Sequence, residues 1–361
     1  MLGRRVTGEQ EKHVRDLGTD HSPSRGSGRG KTPLLIGIAV GFTLCHIVYF
    51  PTYWYLGDLK PQPLCRPAPS KGLSRRTEAP TNVPNTTGGP TAPPGPVHPV
   101  PFNVTNPLSG YVNVLKDREA LRLHCGVCAL VSTSGHVLNH TAGAEIDQAE
   151  CVIRMNHSPV TGFEKHVGRR TTVRIVTHSS FKFAFMEITQ IVSKENRSKL
   201  VVWGPDDTMR TNGKGETYNH LFNLTKVSKD AEFYMLSPER MLYSHKLFDN
   251  ETGLQRRVKS GLIWLSTGWF TMILATEMCD QVKVYGMSDG ENCRDPNAYP
   301  AAYHYFDSDN ITYARNECDE YNWMEKREKD AHRFFTEKTV FERWSKYHKI
   351  TFHFPSWNRY E

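Results

Sequence analysis

The chain has 361 residues, a formal net charge of +7 and 38% hydrophobic content, enough apolar material for a buried core in one large domain or two average ones. Its basic residues are spread along the sequence rather than gathered into a block, and no nucleic-acid reader motif is present, so nucleic acid is excluded as a partner. No internal repeat is visible.

Residues 1–33 are polar and basic, and an apolar run follows from Leu34 to Phe50, continuing weakly through Leu56. Arg25, Arg29 and Lys31 on its N-terminal side make 34–56 a transmembrane signal-anchor with a cytosolic tail over 1–33. No small-residue cleavage site follows, and Tyr53-Trp54-Tyr55 suits an interfacial aromatic belt, which favours an anchor over a cleaved signal peptide. A span this short matches the thinner membranes of the early secretory route. Residues 57–107 turn to Pro, Thr, Gly and Ser, as in PTNVPNTTGGPTAPPGPVHPVP. Such a segment cannot bury enough apolar surface to fold and reads as an extended lumenal stem. The folded domain is expected over 108–361.

This topology places everything beyond the anchor in an oxidising, glycosylating lumen. Sequons stand at Asn85, Asn103, Asn139, Asn196, Asn223, Asn250 and Asn310. A further one, Asn156-His157-Ser158, is followed by Pro159 at a strand end and is expected to stay unmodified. Of the eight cysteines, Cys45 falls in the anchor and Cys65 in the stem, where it is available to link two chains. Cys125, Cys128, Cys151, Cys279, Cys293 and Cys318 form an even set in the folded part. In a lumen they read as three disulfides rather than a metal site, although Cys125-x-x-Cys128 in a cytosolic protein would suggest a redox pair or half a zinc site.

Strands and helices alternate through the folded part. Apolar strands are expected at Ala129–Val131, Cys151–Met155, Thr172–Val176, Leu200–Trp203, Phe233–Leu236, Val282–Tyr285 and Ile350–Phe354, with helices near Trp269–Asp280 and Thr336–Tyr347. This predicts a mostly parallel α/β sheet in one domain, with ligands at the carboxyl ends of the strands. The first strand runs into Ser132-Thr133-Ser134-Gly135, a small-residue turn that lets backbone approach a nucleotide closely; the second ends on Asn156 and the third on Thr177-His178-Ser179-Ser180. Ser266-Thr267-Gly268 opens a helix, where free N–H groups and hydroxyls suit an anionic oxygen; an ordinary N-cap is the plainer alternative.

Two histidine segments, Tyr303-His304-Tyr305-Phe306-Asp307 and His332-Arg333-Phe334-Phe335-Thr336-Glu337, complete the set. Together, Cys128–Ser180, Ser266–Gly286, His304–Asp307 and His332–Glu337 resemble, in order, the long, short, third and very short motifs of the eukaryotic sialyltransferases (glycosyltransferase family 29). The wording GAEIDQAECVIRMN, STGWFTM and HRFFTEKTVF is most similar to the N-acetylgalactosaminide α2,6-sialyltransferases, especially the shorter members acting on an already sialylated Gal-GalNAc unit.

The resemblance implies a Rossmann-like GT-A-variant fold in the Golgi membrane, as a type II protein with a lumenal catalytic domain. It implies transfer of sialic acid from CMP-sialic acid to a sugar hydroxyl, with inversion and without a metal. His332 is then the general base, Glu337 supports its surroundings, and His304 faces the departing phosphate. Asn156, Thr133, Ser134, Trp203, Gly204, Ser266, Thr267 and Gly268 would bind the donor. Relatives carry Gly-Asn-Ser-Gly where this chain has Ser132-Thr133-Ser134-Gly135, so an expected asparagine contact falls to Thr133. Family pattern also implies the disulfides Cys128–Cys279 and Cys293–Cys318, leaving Cys125–Cys151 by elimination.

Three rival readings start from other residues. Asp307-Ser308-Asp309 is formally a D-x-D that would hold a divalent ion in a metal-dependent glycosyltransferase. Glu145 and Asp147 are a carboxylate pair for hydrolysis, and a tethered lectin would need no base at all. Acceptor choice is expected to rest on loops such as Asp206–Tyr218 and Cys293–Tyr303.

Overall fold

The computed structural model describes residues 102–357, except 104, 196, 255–256, 259–260 and 308–314. The expected tail, anchor and most of the stem, with Cys45, Cys65, Asn85, Asn196 and Asn310, lie outside the described residues. No helix among those described is long and apolar enough to cross a membrane.

The strands are β1 (Tyr111–Asn113), β2 (Cys125–Val131), β3 (Cys151–Met155), β4 (Val173–Thr177), β5 (Lys199–Trp203), β6 (Glu232–Leu236), β7 (Arg257–Val258), β8 (Gly261–Leu262), β9 (Cys279–Tyr285) and β10 (Lys349–His353). Eight of them form one sheet in the order β1-β6-β5-β4-β3-β2-β9-β10, while β7 and β8 pair as a separate ribbon. Only β1 runs antiparallel to its neighbour in the large sheet, so the expected mostly parallel α/β architecture is present. The helices are α1 (Gly143–Gln148), α2 (Glu164–Val167), α3 (His178–Phe183), α4 (Phe185–Lys194), α5 (Glu216–Val227), α6 (Pro238–Thr252), α7 (Thr267–Met278), α8 (Glu317–Lys326) and α9 (Phe334–Ser345).

Parallel strands need cover on both faces, and β3 and β4 are buried along their whole length. Each nevertheless carries an arginine, and Arg154 and Arg174 face one another in register. Arg154 Nη2 donates to the carbonyls of Val167 and Arg170 at 2.7 and 2.8 Å. Arg174 Nη1 donates to the carbonyls of Asn156 and Ser158 at 2.8 and 3.1 Å, and its Nη2 pairs with Glu195. Charge is tolerated in a core only when partnered in this way. The same bonds fix the loop that follows β3.

Helix α7 is apolar on every side, with Trp269 through Ala275 and Met278 buried, which marks a central rather than a surface helix. It packs against β3 and β4, and Trp269 is boxed by Phe248, Phe341 and Trp344. Cys279 then carries the chain directly into β9.

Disulfides join Cys125–Cys151, Cys128–Cys279 and Cys293–Cys318, the pairing that the resemblance and elimination implied. The first two tie β2 to both of its neighbours. The sulfurs of Cys125, Cys128 and Cys151 lie within 4.8 Å of one another, but all are spent in disulfides, which closes the metal reading of that cluster.

At the amino end Phe102 lies edge-on to Tyr243 at 5.4 Å, and the Pro107 carbonyl accepts from Arg240 Nη1 at 2.9 Å. Packing therefore begins before residue 108. The reason is Arg240, buried between Tyr111 and Glu277, which gathers these last stem residues onto α6.

Candidate active site

Two strand ends, those of β3 and β4, meet the amino end of α7. Asn156, just past β3, sits in the left-handed region at φ 49°, a conformation asparagine tolerates better than most residues. Its Oδ1 accepts from Thr177 N at 3.1 Å and from Thr267 Oγ1 at 3.4 Å, joining the tips of β3 and β4 to α7. Ser266 is the N-cap: its Oγ accepts from Trp269 N at 3.2 Å. The same hydroxyl donates to Glu337 Oε2, and Ser266 N donates to Glu337 Oε1 at 2.8 Å. Both donors of Ser266 are thus consumed by the protein. Among the described residues, the N–H groups of Thr267 and Gly268 are left pointing from the positive end of the helix dipole.

His332 stands beside this cap. Ile263 pairs with Ala331, Trp264 N donates to the Ala331 carbonyl at 3.1 Å, and His332 Nδ1 lies 2.8 Å from the Trp264 carbonyl oxygen. A carbonyl only accepts, so Nδ1 carries the hydrogen and Nε2 carries the lone pair. Burial lowers the pKa of His332 below its ordinary value. Glu337, fully enclosed at the start of α9, is pushed the other way by burial, and burial lowers its neighbour Lys338.

The expected nucleotide turn after β2 behaves differently. Gly135 N donates to the Ala302 carbonyl at 2.8 Å, and a Cβ at Gly135 would lie 2.7 Å from Ala302 N. The close backbone approach that this glycine permits is to the chain's own 302–305 segment. Ser132 Oγ donates to the Gly286 carbonyl at 2.7 Å, and Ser134 Oγ accepts from His136 N at 3.2 Å as a cap. Thr133 takes Tyr305 N on its carbonyl at 2.7 Å, while its hydroxyl makes no hydrogen bond among the described residues.

These bonds seat His304 between the tips of β2 and β3, and Tyr305 Oη closes the arrangement by donating to the Pro159 carbonyl. His304 Nδ1 lies 2.9 Å from Asp307 Oδ2, its ring stacks on Phe306 at 4.9 Å, and it is 6.4 Å from His157. An aromatic chain connects the two histidine motifs. Tyr303 is 4.4 Å from His304 and 6.2 Å from Phe334, whose ring is 5.1 Å from His332.

Trp203 is drawn into the core: one face stacks on Phe270 at 4.2 Å and the residue is only 4% exposed. Its ring also meets His178, edge-on at 5.9 Å, which in turn reaches Trp264 at 6.3 Å. Gly204 is where β5 presses on His178, since a Cβ there would lie 2.7 Å from the Cβ of His178. The carboxylates of the hydrolytic reading are committed elsewhere. Glu145 accepts from Tyr285 Oη at 2.7 Å, and Asp147 accepts from the backbone of Arg169 and Arg170. Two participants had little or no signal in the sequence: the Trp264 carbonyl, a backbone atom, and His178, visible only as one member of a polar strand end.

A helix terminus with free N–H groups, a histidine with a bare Nε2 beside it, and a second histidine held by a carboxylate are the kinds of group that suit an anionic leaving group. The profile of glycosyltransferase family 29 (sialyltransferase) matches residues 102–348, and the chain belongs to that family. It is 40% identical over 271 residues to the human alpha-N-acetyl-neuraminyl-2,3-beta-galactosyl-1,3-N-acetyl-galactosaminide alpha-2,6-sialyltransferase, covering 75% of this chain and 85% of the relative. It is also 40% identical over 263 residues to human alpha-N-acetylgalactosaminide alpha-2,6-sialyltransferase 3, covering 72% and 84%. A mammalian sialyltransferase crystal structure aligns with 63% of this chain and 68% of its own, at 20% identity and a TM-score of 0.36.

Proposed function

We propose that this enzyme transfers sialic acid from CMP-sialic acid, in α2,6 linkage and with inversion, to the GalNAc of an already sialylated Gal-β1,3-GalNAc unit on O-glycans or gangliosides. His332 Nε2 takes the acceptor hydroxyl proton as the oxygen attacks the anomeric carbon. The bond from that carbon to the phosphate oxygen breaks, and CMP leaves with the electron pair. The N–H groups of Thr267 and Gly268 receive the phosphate charge, and His304 donates to it from Nε2 when protonated. Glu337 acts by holding Ser266, and hence the start of α7, against the element that carries His332.

The observation that carries this reading is the hydrogen bond from His332 to the carbonyl of Trp264, two residues before the cap of α7. It supports a base and an anion site carried on adjoining stretches of chain. The chemistry needs no divalent ion, and Asp307, the first acid of the D-x-D, is already engaged by His304. The sequence features before residue 102 support a type II Golgi membrane protein, with Cys65 available for a homodimer. The test is incubation of the secreted domain with CMP-sialic acid and a panel of O-glycan and glycolipid acceptors, followed by linkage analysis. An α2,6-sialylated GalNAc product supports the reading; sialic acid attached elsewhere overturns it.

A further inference from the structure

Gly204, packed on His178, also lines a cavity of about 450 Å³ at the carboxyl ends of β5 and β6, within the ~300–1,000 Å³ span of ligand pockets. Four charged side chains line it: Arg118, Arg210, Asp206 and Glu239. Among the described residues neither guanidinium has a carboxylate within ion-pair distance; Glu239 is held in its charged form chiefly by its own backbone N–H and by Ser237, with Arg118 adding the smallest share.

Both arginines are presented by built backbone. Asp117 and Arg118 adopt consecutive left-handed conformations, φ 36° and 59°, in a turn closed by Glu119 N donating to the Lys116 carbonyl at 2.7 Å. Such conformations cost energy in non-glycine residues and persist only where the surroundings enforce them. Arg210 is carried on a loop anchored by Met209, which is buried, and wound so tightly that a Cβ at Gly215 would lie 2.4 Å from the Arg210 carbonyl oxygen.

We infer that this cavity is the subsite for the sialic acid already present on the acceptor, with Arg118 and Arg210 receiving its carboxylate. The inference rests on the acceptor reading given above. A guanidinium is matched to a carboxylate by its planar fork of donors. Asp206 and Glu239 fit the remainder of the ligand, because a sugar acid also presents hydroxyls that donate to carboxylates. A phosphate, which offers only acceptor oxygens when fully ionised, would be repelled by the same two groups. Gly204 links the cavity to the site, since it packs on His178, whose ring reaches Trp264 two residues before the α7 cap.

The experiment compares a sialyl-Gal-GalNAc acceptor with its sialic acid methyl ester, which keeps the shape and removes the charge. Wild-type enzyme should favour the free acid over the ester in kcat/KM by roughly tenfold, the scale of a charge-assisted contact. R118Q/R210Q should bring that ratio near one through KM, with R118Q and R210Q alone intermediate and melting temperature used to confirm folding. A double variant that keeps the wild-type ratio overturns the subsite, as does a wild-type ratio near one. A fall in the affinity for CMP-sialic acid, with the acid-to-ester ratio unchanged, assigns the arginines to the donor instead. Wild-type enzyme that transfers to neither sialylated acceptor, while using an unsialylated one, overturns the acceptor reading itself and the subsite with it.

Discussion

His332 Nδ1 and the main-chain carbonyl oxygen of Trp264 are 2.8 Å apart, and that contact fixes which nitrogen of the ring is basic. Residues 263–264 run alongside 331–332, so the imidazole is oriented by the same stretch of chain that ends in the Ser266 cap. A base built in this way works only while neutral. Burial lowers its pKa, so activity should hold on acidification past the ordinary histidine value and fall only below it. The measurement is kcat against pH; an acid limb centred at or above 6.5 would contradict the assignment. His332→Ala should lose about a hundredfold or more in turnover, the scale of general-base catalysis, with CMP affinity retained.

Glu337 offers a second test, because it bonds both donors of Ser266 from the interior. Glu337→Ala leaves that N–H and hydroxyl buried without their acceptor, at a cost of about 2–4 kcal/mol. For a domain of this size that is a fall in melting temperature of roughly 5–15 °C. Loss of the carboxyl that holds the Ser266 cap should also raise the KM for CMP-sialic acid. The sign of the pH effect follows from the raised pKa of the carboxyl. Stabilisation from the retained proton is complete below the ordinary carboxylate pKa and is lost as pH rises through the elevated folded value. Glu337→Gln cannot ionise, so wild type should lose stability relative to it as pH increases through that window. A constant difference between the two from pH 4 to 8 would sink this account.

The disulfides differ in what they constrain. Cys128 and Cys279 are 151 residues apart, whereas Cys125 and Cys151 are separated by 26. Loop-closure entropy then makes the first worth about 5 kcal/mol and the second about 3.5 kcal/mol. The Cys128→Ser/Cys279→Ser variant should therefore melt lower than Cys125→Ser/Cys151→Ser. It should also lose more affinity for CMP, because the bridge joins β2 to the junction of α7 and β9. Equal melting temperatures would show that strain or residual unfolded structure outweighs loop length.

Much of this architecture could be read from the residues alone, for a physical reason. Strands such as Cys151–Met155 are covered on both faces and read as apolar runs, and α7 carries apolar residues on all its sides. Helix α6 escaped that reading because it is broken by Arg240, whose burial depends on Glu277, 37 residues away. Strand β1 has three residues and gains its place by pairing with β6 across more than a hundred positions. At the site, Asn156 and Thr267 stood out as polar ends of apolar elements, and the fold brings them together. Trp203 and Gly135 were legible as residue types but not as to what they face. Phe270 occupies one face of the indole, and Ala302 fills the space that the glycine leaves. Such pairings are set by tertiary contact and leave no periodic trace.

Asp307 separates two mechanisms. Its Oδ2 lies 2.9 Å from His304 Nδ1, so it holds that ring with Nε2 as the nitrogen available to a leaving phosphate. Asp307→Asn should keep the shape but remove the carboxylate that balances the charge of a ring donating from both nitrogens, lowering kcat by about tenfold, within the range lost when an orienting partner is removed. His304→Ala should lose at least as much, with the KM for acceptor little changed. If Asp307 serves His304, EDTA leaves turnover where it was and manganese adds nothing. If Asp307-Ser308-Asp309 instead binds a divalent ion with the nucleotide, EDTA abolishes activity and manganese restores it. In that case Asp307→Asn would weaken the response to manganese rather than lower kcat in metal-free buffer, so the two readings part on a titration with a single metal.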